Sequence, residues 1–149
     1  MKKIILLFYL TFLGLVACSD DPDPVTIDPT LPQGNFSVLR MGSFMDQNGA
    51  GSTGTASIGV DSEGTEFLEF GDSFNTALGT GTVTVFLSTS DTFNADPGNG
   101  NPDLLALGVV RDSGTNYFML PSGSMSEKYT HVILWCGSVG IPFGYAPLN

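Results

Sequence analysis

The chain has 149 residues and a formal net charge of −10, from 15 acidic and five basic side chains. This charge argues against nucleic acid as a partner, because neutralisation of phosphates by Lys and Arg dominates such binding. It also argues against polybasic docking on anionic lipid. The single histidine excludes any site that needs two histidine ligands.

The first 17 residues have the three parts of an export signal. Lys2 and Lys3 provide the positive start, and residues 4–16 form an apolar run that only Thr11 and Gly14 interrupt. A membrane-spanning helix takes about 20 apolar residues, so this run is too short to cross a bilayer comfortably. We therefore predict a signal peptide over residues 1–17.

The signal ends in Leu15-Val16-Ala17-Cys18, which resembles the bacterial lipobox. Small residues before the cleavage point fit a peptidase site, and the Cys18 thiol after it can accept a diacylglyceryl group. Because two acyl chains anchor a protein stably, we predict a mature chain held on a membrane through lipidated Cys18. The alternatives are an ordinary signal peptide or a membrane-anchoring helix in which the cysteine stands by chance.

Residues 18–33 are predicted to form a tether, because their four prolines favour a semi-extended chain. The start of the tether, Ser19-Asp20-Asp21-Pro22-Asp23, is similar to the signal that sends lipoproteins of some Gram-negative bacteria to the cell surface. We predict a lipid-anchored outer-membrane protein that faces the cell surface. If the acidic stretch is only a solvated linker, the periplasmic side is the alternative. Loss of Lys2 and Lys3 with the signal peptide takes the net charge from −10 to −12.

The folded part is predicted over residues 34–149 as a single all-β domain. Glycine is abundant, no stretch after the signal peptide has a long 3.6-residue period, and short β-branched and aromatic runs alternate with turn residues. The predicted strands are residues 35–40, 53–60, 66–70, 82–88, 104–110, 116–120, 131–137 and 141–146. About eight short strands with such turns are typical of an antiparallel β-sandwich.

Two of these strands have informative patterns. In residues 82–88, Val83, Val85 and Leu87 recur at every second position and should share one face. Residues 131–136 are mostly apolar at odd and even positions alike, which favours a central strand covered on both sides.

The longest non-periodic segment of the domain is the loop at residues 91–103. Its oxygen-bearing side chains Asp96, Asn99, Asn101 and Asp103 are candidate calcium ligands. Their spacing does not match an EF-hand loop, which also ends in a glutamate that is missing here. A flexible surface turn is the alternative.

Cys136 is the only thiol left once Cys18 carries lipid, so it has no intramolecular disulfide partner. A lone cysteine in an oxidising compartment is a redox or ligand candidate, with Trp135 beside it. Its apolar strand should raise the pKa of the thiol, and no Lys or Arg lies nearby in sequence to lower it. The alternative is a buried cysteine that acts as a small hydrophobe.

His131 is the one possible histidine ligand for haem, with Met41, Met45, Met119 or Met125 as a second ligand. No Cys-x-x-Cys-His sequence occurs, and His131 is five positions from Cys136, so on a regular strand the two side chains face opposite ways. The sequence also lacks a Gly-x-Ser-x-Gly nucleophile elbow, and we expect no stand-alone catalytic activity.

Four aromatic side chains, those of Tyr117, Trp135, Phe143 and Tyr145, are candidates for a ligand-stacking surface. Packing in the core is the alternative for all four. Trp135 and Tyr145 are the better candidates for exposure because each carries a polar tip.

The order of motifs resembles the DM-thirteen domain family, also called electron-transfer DM domains. The matching stretches are residues 34–36, 54–56, 68–74, 83–88, 107–108, 114–121, 132–136 and 141–148. The most specific are Val132-Ile133-Leu134-Trp135-Cys136 and the following Ile141-x-Phe143-Gly144-x-Ala146-x-Leu148. One stretch departs from the family: Gly79-Thr80-Gly81-Thr82 stands where the family usually has Gly-Pro-Asp.

The resemblance implies a β-sandwich and a redox role for the cysteine of the Trp-Cys motif, either as a free thiol or as a ligand to a group such as haem. That cysteine corresponds to Cys136. The sequence therefore predicts a membrane-anchored lipoprotein with a redox or electron-transfer accessory domain centred on Cys136, acting with an unidentified redox partner. The alternative is a non-enzymatic module that binds an extracellular ligand and keeps Cys136 in its core.

Overall fold

The computed structural model describes residues 27–95 and 101–149. The predicted signal peptide, Cys18, the first part of the tether and two calcium candidates, Asp96 and Asn99, lie outside those ranges. Over the described ranges, no helix is long and apolar enough to cross a membrane.

The described residues form nine strands and one turn of 3-10 helix, η1. In chain order these are β1 Ser37–Ser43, β2 Met45–Asp46, β3 Thr55–Val60, β4 Glu66–Phe70, β5 Val83–Ser88, β6 Leu104–Val109, β7 Asn116–Met119, η1 Ser126–Lys128, β8 His131–Cys136 and β9 Ile141–Pro147. The eight predicted strands all occur, and the additional strand, β2, has only two residues.

All the strand pairs are antiparallel. β1, β3, β4 and β7 form a four-stranded sheet in that order, and β2, β9, β8, β5 and β6 form a five-stranded sheet. Buried apolar side chains from both sheets, such as Ile58, Phe70 and Leu134, make one core between them. The predicted antiparallel β-sandwich is confirmed.

The two informative strand patterns are also confirmed. Val83, Val85 and Leu87 of β5 are buried in the core. β8 lies between β9 and β5 at the centre of its sheet. It buries Leu134 in the core and Ile133 on the opposite face, so neither side chain reaches solvent.

β1 begins at Ser37, two residues later than predicted, because the residues before it contact the β3–β4 hairpin instead of a neighbouring strand. The Asn35 N–H donates to Ser62 Oγ at 2.9 Å. The Phe36 ring lies on Gly59, where a Cβ would come within 2.5 Å of the ring. Glycine at position 59 therefore makes room for an aromatic side chain on the outer face of the four-stranded sheet.

The residues just before β1 and Cys136 lie at opposite ends of the sandwich. The Gln33 N–H donates to Asp61 Oδ2 at 2.9 Å in the β3–β4 turn. At that same end, Ser126 Oγ donates to Glu66 Oε1 at 2.8 Å, which places the start of β8 there. Cys136 is the last residue of β8, and five residues of strand span about 16 Å.

Asp61 organises the β3–β4 turn and should make the stability of the domain depend on pH. The hydrogen bond from the Gln33 N–H is the main reason why the pKa of Asp61 lies below its usual 3.8. Burial raises the pKa, and the Thr65 and Glu63 N–H groups lower it further. A depressed folded-state pKa contributes stability that is fully present above the unfolded-state pKa and lost as the pH falls through the folded-state value.

We therefore expect Asp61→Asn to unfold at a lower urea concentration than the wild type at pH 7. The difference should narrow as the pH falls below about 4. The control is Asp72→Asn, since the Asp72 carboxylate is exposed. Urea midpoints at pH 7, 5 and 3.5 test this; a difference that is the same at all three pH values would contradict it.

Candidate functional site

Cys136 lies where β8 ends and its side chain is completely buried. Two hydroxyl groups contact the sulfur. Thr80 Oγ1 lies 3.3 Å from Sγ and accepts a hydrogen bond from the thiol, and Ser138 Oγ lies at the same distance from Sγ. The sulfur is therefore buried next to polar groups, although the strand that carries it is apolar.

Two connections between strands bring these hydroxyls to the sulfur. Thr80 belongs to the connection between β4 and β5, and Ser138 belongs to the turn between β8 and β9. The residues between β8 and β9 fold back through the Gly140 N–H, which donates to the Cys136 carbonyl at 2.8 Å. The Gly137 N–H donates to the Thr82 carbonyl at 3.0 Å, and the Ser138 N–H donates to Thr82 Oγ1, also at 3.0 Å. These bonds fix the turn at residues 137–140 against residues 79–82.

Burial raises the pKa of the Cys136 thiol, but hydrogen bonds outweigh it and lower the pKa from 9.0 to about 7. The contributing groups are the Ser138 and Thr80 hydroxyls and the backbone N–H groups of Val139 and Ser138. Each group stabilises the thiolate, because the N–H groups donate hydrogen bonds to it and a hydroxyl can turn to do the same. The expectation of a raised pKa is therefore wrong, because the hydroxyl and N–H groups that lower the pKa lie outside the apolar strand.

The sulfur lies under a thin cover. Thr80, Gly81, Ser138 and Val139 are all exposed to solvent, and none of them is charged. The two residues whose hydroxyls contact the buried sulfur, Thr80 and Ser138, are therefore themselves exposed.

Comparison with protein families matches residues 43–148 to the family described as Electron transfer DM13. The chain belongs to the electron transfer DM13 family. The match runs from the last residue of β1 to the residue after β9, so this DM13 domain includes Cys136 and both hydroxyl partners. Comparisons with curated proteins and with solved structures give no match.

His131 and Cys136 of the DM13 domain face opposite sides of the five-stranded sheet, as their spacing predicts. Cys136 packs in the core. His131 is partly exposed on the outer face, with its ring 6.0 Å from that of Tyr145. The two side chains therefore cannot bind one haem between them. Met41 pairs with Ser57 in the four-stranded sheet, whereas Met45 pairs with Tyr145 in the five-stranded sheet.

The four aromatic candidates do not form one surface. Trp135 and Tyr145 are partly exposed on the outer face of the five-stranded sheet. Phe93 stacks on Trp135, with ring centroids 4.0 Å apart. Phe143 is buried in the core, and Tyr117 lies on the four-stranded sheet, where its hydroxyl donates to Glu69 at 3.0 Å.

The two calcium candidates that the structure describes, Asn101 and Asp103, are joined by a hydrogen bond, and Asp103 also pairs with a lysine. Asn101 Oδ1 accepts a hydrogen bond from the Asp103 N–H at 2.8 Å, and Lys128 Nζ lies 3.8 Å from Asp103 Oδ1. Within residues 27–95 and 101–149, no group of three or more acidic, His or Cys side chains is arranged to hold a metal ion.

Sequence reasoning missed Thr80 and Ser138 as site residues. The signal for Thr80 was the departure from the family at residues 79–82, which turns out to be the segment that contacts Cys136. For Ser138 no signal existed beyond its position two residues after the cysteine.

We expect Thr80→Val and Ser138→Ala each to raise the pKa of Cys136 by about 1, because each removes one hydrogen bond to the thiolate. At pH 7 the thiolate fraction, and with it the rate of alkylation of the folded domain, should fall roughly fivefold. Rates measured by mass spectrometry test this, with Thr115→Val as a control at an exposed site. Unchanged rates in both variants would show that the hydroxyls do not activate the thiol.

Proposed function

We propose that this chain is a surface-exposed lipoprotein, anchored through Cys18, whose DM13 domain is a redox accessory module with Cys136 as the reacting group. The observation that carries the proposal is the contact of Cys136 Sγ with two hydroxyls at 3.3 Å. Hydrogen bonding brings the pKa of the thiol to about 7, so about half of the thiol would be thiolate at neutral pH.

The chemistry that suits such a group is thiol–disulfide exchange with a partner. The Cys136 thiolate would attack one sulfur of a partner's disulfide, forming a mixed disulfide, and the other sulfur would leave as a thiolate. Attack by a first external thiol on Cys136 Sγ would release the reduced partner and leave that thiol bound to Cys136 in a disulfide. Attack by a second thiol on the sulfur of the first would restore the Cys136 thiolate and join the two external thiols in a disulfide. The lipid would occupy the Cys18 sulfur, so both thiols must come from outside the chain.

Incubation of the folded, lipidated chain with oxidised glutathione tests this function. We expect one glutathione per chain, attached to Cys136 under native conditions and removed by a reductant. Cys136→Ser should acquire none. Attachment only after denaturant is added would contradict a redox function for this residue.

A second function is favoured by the complete burial of Cys136 and by its place in the core. In this case the domain would be a non-enzymatic binding or adhesion module, and Trp135 and Tyr145 would be available to an extracellular ligand on the outer face of the five-stranded sheet. Binding to cell-envelope glycans by a domain whose thiol does not react in the folded state would support this function over the redox one.

A further inference from the structure

The outer face of the four-stranded sheet carries several exposed apolar side chains. The strand register places Val38, Gly59, Phe67 and Met119 in one row across all four strands. Val38 is 49% exposed and Met119 51% exposed. We call this face, with Phe36, Val38, Met41, Phe67, Glu69, Tyr117 and Met119, the apolar face.

Charge is nearly absent from this face. Among the strand residues that point to it, Glu69 is the only one with a charged side chain, and the Tyr117 hydroxyl donates to its carboxylate at 3.0 Å. The Tyr117 ring lies edge-on to those of Phe36 and Phe67, with centroid distances of 6.1 and 6.5 Å, and Phe67 is buried. The flanking Met41 is 49% exposed. Contiguous exposed apolar surface of this kind marks a contact with a protein or a membrane.

The opposite outer face also carries exposed apolar side chains, since Met45 and Val109 of the five-stranded sheet are 50% and 42% exposed. On the five-stranded sheet, Phe93 stacks on Trp135 and packs edge-on against Phe86, with ring centroids 5.0 Å apart, so part of the aromatic surface is covered by the chain itself. On the four-stranded sheet, Val38, Met41 and Met119 remain about half exposed.

The predicted tether limits how far the apolar face can lie from the lipid proposed on Cys18. Cys18 and Ile27 are nine positions apart, and the chain between them spans at most about 32 Å. This is close to the diameter of a domain of this size, whose radius of gyration is about 13 Å. The last part of the tether carries exposed Ile27 and Leu31, and the chain that follows it supplies Phe36 and Val38 of the apolar face.

We propose that the apolar face docks on the surface of the bilayer that holds the lipid of Cys18. This inference rests on the proposed lipid anchor. A tether of this length keeps the face at a high effective concentration near the bilayer, so weak apolar contacts suffice. Because the mature chain has a net charge of −12, the docking depends on apolar contact and favours zwitterionic lipid.

Bromolipid quenching of tryptophan fluorescence tests the docking, since the chain has one tryptophan. The lipidated chain is placed on phosphatidylcholine vesicles with and without brominated acyl chains. In a Trp135→Phe background, Val38→Trp places the probe on the apolar face. Val109→Trp is the matched control, since Val109 is 42% exposed and pairs with Thr84 on the five-stranded sheet.

We expect quenching at position 38 to be about twofold or more stronger than at position 109. Equal quenching, or stronger quenching at position 109 or of native Trp135, would overturn the docking. A dimer in analytical ultracentrifugation without quenching at position 38 would assign the face to a second copy and would also overturn it. Mass spectrometry of the intact chain separates the proposed anchor from the proposed docking. Absence of lipid on Cys18 refutes the anchor, whereas a lipidated chain without quenching at position 38 refutes the docking alone.

Discussion

Gly42→Ala should destabilise the domain by about 3 kcal/mol or more. A Cβ at position 42 would lie 1.6 Å from the carbonyl oxygen of Pro147, which belongs to the backbone of β9 and cannot rotate away. The two chains would have to separate. This would break the neighbouring pair of hydrogen bonds between Met41 and Asn149, which are 3.1 and 3.2 Å long.

The effect should be large because Gly42 lies where the chain passes from one sheet to the other. β1 pairs with β3 in the four-stranded sheet, and β2 begins two residues after β1 ends and pairs with β9 in the five-stranded sheet. Urea unfolding measures the loss. Gly79→Ala is the matched control, because nothing lies within 4 Å of a Cβ at that position. Equal stability of the two variants would contradict the close approach of β1 to β9.

Cys18→Ala should release the chain from the membrane almost completely. On the lipoprotein proposal, the diacylglyceryl group on Cys18 supplies the stable attachment, and apolar contacts of the domain alone give only reversible binding. Fractionation of cells into membrane and soluble material measures the change. Ser19→Ala, which keeps the thiol, should remain with the membrane.

Surface display is tested separately by protease treatment of intact cells. We expect wild-type protein to be removed by the protease. Replacement of Asp20 and Asp21 by Asn should leave the protein on the membrane but protect it, since the acidic stretch is the proposed surface signal. Wild-type protein that resists the protease would place the domain on the periplasmic side.

Most of the fold could be predicted from the sequence because successive side chains along a strand point to opposite faces of the sheet. Val83, Val85 and Leu87 were sufficient to orient β5, and the uniformly apolar β8 was correctly placed at the centre of a sheet. β2 could not be predicted, because two residues do not form a pattern. The late start of β1 depends on the contact of Phe36 with Gly59, which is a tertiary contact.

The candidate site was only half predictable. Cys136 was visible as a lone thiol, but its pKa depends on Thr80, which is 56 residues away in sequence. Strand periodicity correctly separated His131 from Cys136. It could not show that the connection between β4 and β5 returns to the end of β8, where the Thr80 hydroxyl is one of the groups that together outweigh the effect of burial on the pKa of Cys136.

The rate of alkylation of Cys136 in the folded, lipidated chain, measured against pH, tests the redox proposal most directly. We predict one reacting thiol and a half-maximal rate near pH 7, since hydrogen bonds from Ser138 and Thr80 oppose the effect of burial on the pKa. A half-maximal rate near pH 9, as for a thiol without these hydrogen bonds, would contradict the proposal. So would alkylation that occurs only as fast as the domain unfolds.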